Sequence, residues 1–272
     1  MSTRDGRLVV CPTPIGNLED VTLRVLAALR EADVIACEDT RRTGILLERY
    51  GVKARMLSYH EHNERARTPG LVTRMRGGEV VALVSDGGMP LVSDPGFVLV
   101  EACIAAGLAV DVLPGPSAAL AALVASGLPA QRWRFVGFLP RRRGELLAVL
   151  GSPETLVAFE SPRRLGASLA ALASLDPERR AVVCRELTKL HEEVVRGSAA
   201  ELAARYALAP PKGEIVLVVG LVAGGSEVDA TPAVDAVRRL VEAGAKPRVA
   251  ARVVADLTGV GANALYRAVS ES

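Results

Sequence analysis

Five short stretches of the sequence combine acids, histidines, glycines and prolines in patterns that can bind a ligand or move a proton. They are PTPIGN (12–17), EDTR (38–41), HEHN (60–63), SDGGMPLVSDPG (85–96) and PGPS (114–117). Glu38, Asp39, His60 and Glu61 supply carboxylates and an imidazole, the side chains that proteins use most often for acid–base chemistry. A salt-bridged surface is the alternative interpretation. Several ionisable groups at one predicted crevice favour a reaction or a polar substrate.

The longest stretch, SDGGMPLVSDPG, favours a loop whose backbone lies against a small molecule. Gly87 and Gly88 permit close approach of the backbone in a fixed geometry. Asp86 or Asp94 can then hold a polar group of the ligand. An irregular structural connection is the alternative for this loop. The PGPS stretch has an alternative of its own, a tight turn in which Ser117 caps the start of a helix.

Each stretch follows an apolar run that is typical of a β-strand. The runs are RLVVC (7–11), DVIACE (33–38), ARMLSYH (54–60), VVALVS (80–85) and LAVDVLP (108–114). Segments with helical periodicity alternate with them, which predicts a mostly parallel sheet covered by helices on both faces. Because the carboxyl ends of parallel strands share one edge, where open α/β sheets bind their ligands, the stretches are expected to form one site.

The second part of the chain contains more strands than helices. The predicted strands are RWRFVGFLP (132–140), TLVAFES (155–161), RAVVCREL (180–187), EEVVRGS (192–198) and GEIVLVVGL (213–221), and helices are predicted only at 162–175 and 199–207. This pattern indicates a mixed sheet in a separate domain. The sequence therefore predicts an α/β protein with an N-terminal parallel domain (1–117), a second α/β domain (118–224), a linker, and a small helical module (232–272).

Composition narrows the class of protein. A formal net charge of +2 argues against coating of nucleic acid by bulk charge but permits a local basic face. The candidate clusters are Arg141–Arg143, Arg163–Arg164 and Arg179–Arg180, with ordinary solvated arginines as the alternative. Aromatic residues make up only 3% of the chain, which disfavours an extended base-stacking surface.

Several other classes of site are not supported. The chain has no GxxxxGK[ST], GxGxxG or GxSxG motif, and its three histidines favour hydrogen-bonding or base roles over metal binding. The four widely spaced cysteines are predicted to be buried free thiols. The sequence shows neither a secretory leader nor an apolar run long enough to span a bilayer, so a cytoplasmic protein without membrane association is expected.

Taken in order, these motifs resemble those of the tetrapyrrole-methylase superfamily. The resemblance covers about residues 8–220 and includes GFLPR, FESPRRL, RELTK and KGEIVLVV besides the stretches above. It implies a two-domain fold with S-adenosylmethionine in the cleft between the domains, in a homodimer. EDTR, HEHN and GFLP are similar to the branch that methylates a cytidine 2′-hydroxyl in 16S rRNA of the small ribosomal subunit, rather than a tetrapyrrole.

The same resemblance implies which residues bind the cofactor. They are Pro14, Ser85, Asp86, Gly87, Gly88, Met89, Pro90, Asp94, Pro95, Gly96, Pro114, Gly115, Pro116, Ser117 and Glu160. The family's loop is usually closer to SDAGTP, so Gly87 and Met89 depart from the usual Ala and Thr. A contact through the Thr hydroxyl is absent here if relatives use one, whereas a contact through the backbone is retained.

For methyl transfer to a hydroxyl, a carboxylate or imidazole that removes the proton helps the acceptor oxygen react. Asp39 and His60 are the first candidates, and Glu38 and Glu61 follow; positioning of RNA or pairing with Arg41 is the alternative role for all four. The residues expected to contact RNA are Arg41, Arg141, Arg142, Arg143, Arg163 and Arg164. Two other functions stay open from sequence alone: a tetrapyrrole C-methyltransferase and a non-catalytic, cofactor-binding ribosome assembly factor.

Overall fold

The structure, a computed structural model, describes residues 5–222, 230–258 and 260–270. The ends of the three predicted units at residues 1, 224 and 272, and most of the predicted linker, therefore lie outside the described residues.

The first half of the chain forms a five-stranded parallel sheet in the order β3-β2-β4-β1-β5. Its strands are β1 (Arg7–Val10), β2 (Val34–Cys37), β3 (Met56–Ser58), β4 (Val80–Val84) and β5 (Ala109–Val112). Its helices are α1 (Leu23–Glu31), α2 (Thr40–Arg49), α3 (Glu64–Arg76) and α4 (Phe97–Ala105). Helices α1 and α2 pack on one face, and α3 and α4 on the other. The predicted parallel, doubly covered sheet is confirmed.

Alternation of side chains along the strands explains why both faces are covered. In β1, Val9 packs with α1 and α2, whereas Leu8 and Val10 pack with α3 and α4. All five residues of the central strand β4 are buried. Strands that are apolar on both faces need a helical layer on each side, as parallel sheets usually have.

The second half forms a mixed five-stranded sheet in the order β6-β7-β10-β8-β9. Its strands are β6 (Trp133–Phe138), β7 (Thr155–Glu160), β8 (Arg180–Arg185), β9 (Glu193–Ser198) and β10 (Ile215–Val219). Only β6 and β7 pair in parallel; the other pairs are antiparallel. Helix α5 (Ala118–Ser126) packs on one face of this sheet. The other face is covered by α6 (Arg143–Leu150), α7 (Leu165–Leu175) and α8 (Ala199–Tyr206). The predicted mixed sheet is confirmed.

Helix α6 was not expected, so the prediction of only two helices between Pro129 and Val222 is wrong. Its eight residues contain a glycine in the first turn, and the preceding arginines are typical of a basic loop. The helix exists because Leu146 and Leu150 are buried against the second sheet, a tertiary contact that offsets its modest local propensity.

The C-terminal helical module consists of α9 (Ala230–Glu242), α10 (Pro247–Thr258) and α11 (Ala262–Ser270). Val237, Ala250, Val254 and Leu265 form the centre of a hydrophobic cluster that belongs to these helices alone. The module thus has its own small core.

Two further predictions from the sequence concern the cysteines and membrane-spanning segments. All four cysteines are free and buried, as predicted. No helix within the described ranges combines the length and the apolar character needed to cross a bilayer.

A buried arginine, Arg179, stabilises one end of the second sheet. This is the end at which the parallel strands β6 and β7 begin. The Arg179 guanidinium donates to the carbonyl oxygens of Gly220 (2.8 Å), Leu150 (2.6 Å) and Ser152 (2.6 Å). The residue is 2% exposed, and burial lowers its pKa. Its assignment to a surface basic cluster with Arg180 is therefore wrong: backbone carbonyls, not phosphates, are its partners.

We expect Arg179→Ala to lower the free energy of unfolding by about 3–5 kcal/mol, because three buried carbonyls lose a charged donor. Arg180→Ala is the matched control; this exposed neighbour should change the free energy by less than about 0.5 kcal/mol. Urea unfolding followed by circular dichroism measures both. Equal midpoints for the two variants would contradict the structural role given to Arg179.

Candidate functional site

The five polar stretches meet at the carboxyl edge of the first sheet. The stretches after β1 and β4 are joined by a pair of backbone hydrogen bonds: Thr13 N–H donates to the Gly88 carbonyl (2.9 Å), and Gly88 N–H donates to the Thr13 carbonyl (2.8 Å). The Thr13 hydroxyl also donates to the Ser85 carbonyl (3.0 Å). The backbone of both loops is therefore held in one arrangement.

Glycines allow three of these loops to pack closely against one another. A Cβ at Gly115 would lie 2.4 Å from Cγ of Pro12, and one at Gly87 would lie 3.3 Å from the Pro14 carbonyl oxygen. Gly88 has φ of +90°, a conformation that favours glycine. The loops after β1, β4 and β5 thus form a cradle, and contact of its backbone with a small molecule stays a prediction.

The remaining residues of the cradle have well-defined surroundings. Met89 packs against the core beside α3 and α4, so the side chain that replaces the family's Thr points to the protein interior. Pro14 and Pro90 are buried, whereas Pro114 and Gly115 are exposed at the rim. The Ser117 hydroxyl caps α5 by accepting from Leu120 N–H, so the capping role predicted as an alternative is present.

Carboxylates connect the loops after β2 and β4. Asp39 N–H donates to Oδ1 of Asp86 (3.0 Å), and the Glu38 carboxylate accepts from the backbone N–H of Asp86. Arg42 Nε lies 3.5 Å from Oδ2 of Asp86. Each loop therefore supplies both a backbone donor and a carboxylate acceptor to the other.

The electrostatic environment separates the acids into two groups. Burial, and then the charges of Glu38 and Asp86, raise the pKa of Asp94 to about 6, although a hydrogen bond from Ser85 opposes the shift. The Ser85 hydroxyl also lies 3.5 Å from the Gly88 carbonyl oxygen. Burial, and then the charge of Asp86, also raise the pKa of Glu38.

Asp39 has the opposite environment. Its Oδ1 accepts from Arg41 N–H (2.8 Å) and Nε (3.0 Å), and its Oδ2 pairs with Arg41 Nη2 (2.6 Å). These hydrogen bonds, first from the guanidinium and then from the backbone, hold the pKa of Asp39 well below its usual range. Asp39 caps α2 and binds Arg41, which makes it a weak base and leaves Arg41 already paired.

Asn63 fixes the orientation of His60. The Asn63 side chain accepts from His60 N–H (2.9 Å) through Oδ1, and its Nδ2 donates to the Ser58 carbonyl (3.2 Å). These two contacts determine which end of the amide carries the nitrogen, and Nδ2 is 3.0 Å from Nε2 of His60. Nε2 must therefore accept, so the proton of the neutral ring lies on Nδ1. Nδ1 is buried and has no hydrogen-bond partner among the described residues.

The other residues of the HEHN stretch face outward or link neighbouring loops. Glu61 and His62 are exposed, and the His62 ring contacts that of His60 edge to face at 5.9 Å between centroids. Glu64, which the sequence analysis did not select, accepts from Gly96 N–H (3.3 Å). Its signal was its position in the first turn of α3, directly after HEHN.

In the second sheet, Glu160 is buried. Its side chain has no exposed surface; it accepts from Ser161 N–H (2.7 Å) and the Ser168 hydroxyl (2.5 Å), and it pairs with Arg164 (3.4 Å). Arg164 in turn donates to the Leu139 (3.0 Å) and Pro140 (2.6 Å) carbonyls. The assignments of Glu160 to direct cofactor contact and of Arg164 to phosphate contact do not fit this geometry, because both side chains support the GFLP turn.

That turn presents the predicted basic residues. Arg141, Arg142, Arg143 and Arg163 are all exposed, and Arg142 forms an ion pair with Glu145 (3.3 Å). The side chains of these arginines thus project from a turn that the Glu160–Arg164 ion pair supports.

Loops of the first sheet contact the second domain. Asn17 N–H donates to the Thr188 hydroxyl (3.0 Å), and a Cβ at Gly137 would lie 3.2 Å from Oγ of Ser93. Thr188 has φ of +66° in the RELTK loop, which Lys189 holds through its ion pair with Glu186 (2.8 Å). RELTK is one of the motifs that carry the family resemblance. The role of its residues could not be predicted from the sequence, because their contact with the PTPIGN stretch is made across the domain junction.

Comparison with known proteins gives a consistent result. Residues 7–203 match the family model for Tetrapyrrole (Corrin/Porphyrin) Methylases. A Mesorhizobium japonicum protein named ribosomal RNA small subunit methyltransferase I is 48% identical over 272 residues, 97% of this chain and 91% of that relative. A Thermotoga maritima protein of the same name is 44% identical over 217 residues, 79% of this chain and 98% of that relative.

Solved structures share the fold. The uroporphyrin-III C-methyltransferase from Thermus thermophilus complexed with S-adenyl homocysteine superposes with a TM-score of 0.57 at 22% identity, covering 79% of this chain and 97% of that one. At that identity the likeness concerns the fold alone.

Two sheets whose strand-end loops meet at a glycine-lined cradle, together with the family match, define a methylase of the tetrapyrrole-methylase class. Within that class, this chain belongs to the family of ribosomal RNA small subunit methyltransferase I, because relatives of that name match nearly its whole length at 42–48% identity. The resemblance predicted from the motifs is confirmed.

The raised pKa of Asp94 predicts a pH-dependent gain in stability for Asp94→Asn. The native state binds this proton more tightly than the unfolded chain does, so wild-type stability falls as the pH rises from 3.8 to about 6. Above that pH window, we expect the free energy of unfolding of Asp94→Asn to exceed that of the wild type by about 1 kcal/mol, because solvent partly screens the charge of Asp94. Below the window, we expect no difference between the two proteins.

Urea titrations at several pH values measure this difference. Asp20→Asn, at an exposed carboxylate, is the control and should shift the free energy by less than about 0.5 kcal/mol at every pH. A constant difference between Asp94→Asn and the wild type across the window would contradict the environment assigned to Asp94.

Proposed function

We propose that this protein transfers the methyl group of S-adenosylmethionine to a ribose 2′-hydroxyl of a cytidine in small-subunit (16S) ribosomal RNA. The observation that carries the proposal is the 48% identity, over 97% of the chain, to a relative named ribosomal RNA small subunit methyltransferase I. The uroporphyrin-III C-methyltransferase with the same fold is only 22% identical. A tetrapyrrole substrate is therefore the less supported alternative.

The cradle has the chemistry that S-adenosylmethionine requires. A Cβ at Gly115 would collide with Pro12 and one at Gly87 would crowd the Pro14 carbonyl oxygen, so glycine at these positions lets the loops pack closely enough to form the cradle. The carboxylate of Asp86 complements the positive charges of the ammonium and sulfonium groups of S-adenosylmethionine. A protein of the same fold was solved with S-adenyl homocysteine. When bound, the cofactor supplies a methyl group that is transferred in line from sulfur to the acceptor oxygen.

Glu38 is the best-placed base. Its pKa is raised by burial and by the charge of Asp86, so its carboxylate is a stronger proton acceptor than Asp39, whose pKa is lowered by Arg41. Glu38 takes the proton of the 2′-hydroxyl as the oxygen forms its bond to the methyl carbon. The Nε2 atom of His60 is occupied by Asn63 and its Nδ1 is buried, so His60 supports the HEHN loop beside the site and is not the base.

The RNA approaches along the exposed arginines of the second domain. Arg141, Arg142, Arg143 and Arg163 lie beside the GFLP turn, which touches the loop that contains Ser93. We further propose that the protein acts as a homodimer on the small ribosomal subunit in the cytoplasm, and that its domains divide near residue 117, where α5 turns to the second sheet.

The direct test incubates purified protein with methyl-labelled S-adenosylmethionine and unmethylated small ribosomal subunits. Label in a single 2′-O-methylcytidine after nuclease digestion is the expected result. Cofactor binding without label in RNA would favour the assembly-factor alternative, and label in a tetrapyrrole precursor would overturn the RNA assignment.

We expect Glu38→Gln to lower the single-turnover methylation rate by about 10²- to 10⁴-fold, because the amide cannot accept the proton. The wild-type rate should rise with pH as Glu38 ionises and then level off, and this rise should be absent in the variant. Cofactor affinity measured by calorimetry should be retained.

Glu61→Gln, at an exposed carboxylate of the neighbouring stretch, is the matched control and should keep the wild-type rate. A normal rate in Glu38→Gln would remove Glu38 as the base.

The triple change of Arg141, Arg142 and Arg143 to Ala should weaken RNA binding, because each arginine neutralises a phosphate. The salt dependence of binding should fall by about one unit of log–log slope per arginine that binds a phosphate. Arg30, Arg49 and Arg55 are exposed at the opposite edge of the first sheet and give a control triple with the same change in charge. Filter binding between 50 and 200 mM salt measures both. The same slope for both triples would remove the arginine cluster from the interface.

A further inference from the structure

The described part of the C-terminal helical module has an excess of positive charge. Between residues 230 and 270 there are six cationic residues and three acidic ones, whereas the whole chain has a formal net charge of only +2. A module with this balance has the electrostatic character of a nucleic-acid contact rather than of a simple packing cap.

The positive charge borders a groove between α10 and α11. The groove has a volume of about 740 Å³, and Arg248, Arg252, Asn263 and Tyr266 provide its polar and aromatic lining. Arg248 and Arg252 are one helical turn apart on α10, so their side chains lie on the same side of the helix. The Arg248 guanidinium lies over the Tyr266 ring, 5.3 Å from its centroid, which orients the cation without neutralising it.

These two arginines form no ion pair within the described part of the chain. Arg238 on α9, by contrast, pairs with Asp235 (3.2 Å). The groove does contain one acid, Asp256, a turn beyond Arg252. Two exposed guanidinium groups without a carboxylate partner, beside an aromatic ring and an amide, favour an anionic polymer as the occupant.

The module is also separable from the proposed methyl-transfer site. Its hydrophobic cluster contains no residue of either sheet, and the tetrapyrrole-methylase match ends at residue 203. The Thermotoga maritima relative is 98% covered by 217 aligned residues, which leaves about a fifth of this chain without a counterpart in it. A segment of that size is therefore an addition to the methylase core.

From these observations we infer that the α10–α11 groove is a second RNA-binding surface, which holds the phosphate backbone of the small-subunit RNA while the cradle of the first sheet performs methyl transfer. Arg248 and Arg252 contact phosphates, and Tyr266 and Asn263 contact an adjoining sugar or base. The inference rests on the proposed function, because it takes the same RNA as the partner.

The test uses the full-length double variant Arg248→Glu/Arg252→Glu. Two phosphate contacts contribute about 1.8 units of log–log salt slope, so between 50 and 200 mM salt the wild type should lose about tenfold more RNA affinity than the variant. The KM for RNA should rise in parallel, whereas kcat at saturating RNA and the affinity for S-adenosylmethionine should stay at wild-type values.

Arg238→Glu/Arg239→Glu on α9 is the matched control, because it makes the same change in charge outside the groove. Tyr266→Leu tests the ring without a change in net charge and should weaken RNA binding at all salt concentrations. Thermal unfolding of each full-length variant checks that the module stays folded, and Arg248→Gln/Arg252→Gln replaces the reversal if it does not.

Equal slopes for the groove and control variants would overturn the inference, and so would an unchanged KM. Normal binding of naked RNA with weaker binding of whole subunits would assign the groove to a ribosomal protein instead. Failure of the proposed function is a separate outcome: the wild type would then place no label in RNA, whatever the variants bind.

Discussion

The paired backbone hydrogen bonds between Thr13 and Gly88 are the contact on which the candidate site depends. They join the loops that follow β1 and β4, the two neighbouring strands at the centre of the first sheet. With that pair in place, Gly115 can pack on Pro12 from one side, and the Asp39–Asp86 contact can form on the other. A cofactor bound mainly through backbone groups needs such rigidity, because peptide groups cannot change rotamer to improve a contact.

The carboxylates of the site are arranged so that their ionised forms lower the stability of the folded protein. Glu38, Asp86 and Asp94 are close enough to affect one another, and burial adds to the penalty on ionised Glu38 and Asp94. Hydrogen bonds from the Asp86 N–H and the Ser85 hydroxyl offset only part of it. Acids that lower stability while they line a predicted binding cradle are typical of sites selected for function. Asp39, whose charge is fully satisfied by Arg41, serves the architecture of α2 instead.

Buried charges have a different role in the second domain. Arg179 binds three carbonyls at one end of the sheet, and Glu160 with Arg164 supports the GFLP turn at the other. In both cases an ionisable group that the sequence suggests for function is saturated by partners inside the protein. The exposed arginines that follow GFLP depend on this support, because the conformation of the turn determines where their side chains lie on the surface.

Local patterns in the amino-acid sequence were enough to predict the parallel sheet, the mixed sheet, the helical module and the convergence of five polar stretches at one edge. These features follow from periodicity and from a general property of parallel strands. The role of each ionisable group emerged only from the folded chain. There Asp39 is bound by Arg41, Asn63 sets the ring proton of His60, and Glu160 is enclosed. Helix α6 likewise is held by burial of two leucines rather than by local propensity. Burial and hydrogen-bond partners come from residues distant in the chain, so the type and spacing of a residue could nominate it for chemistry but could not show whether its charge was free to act.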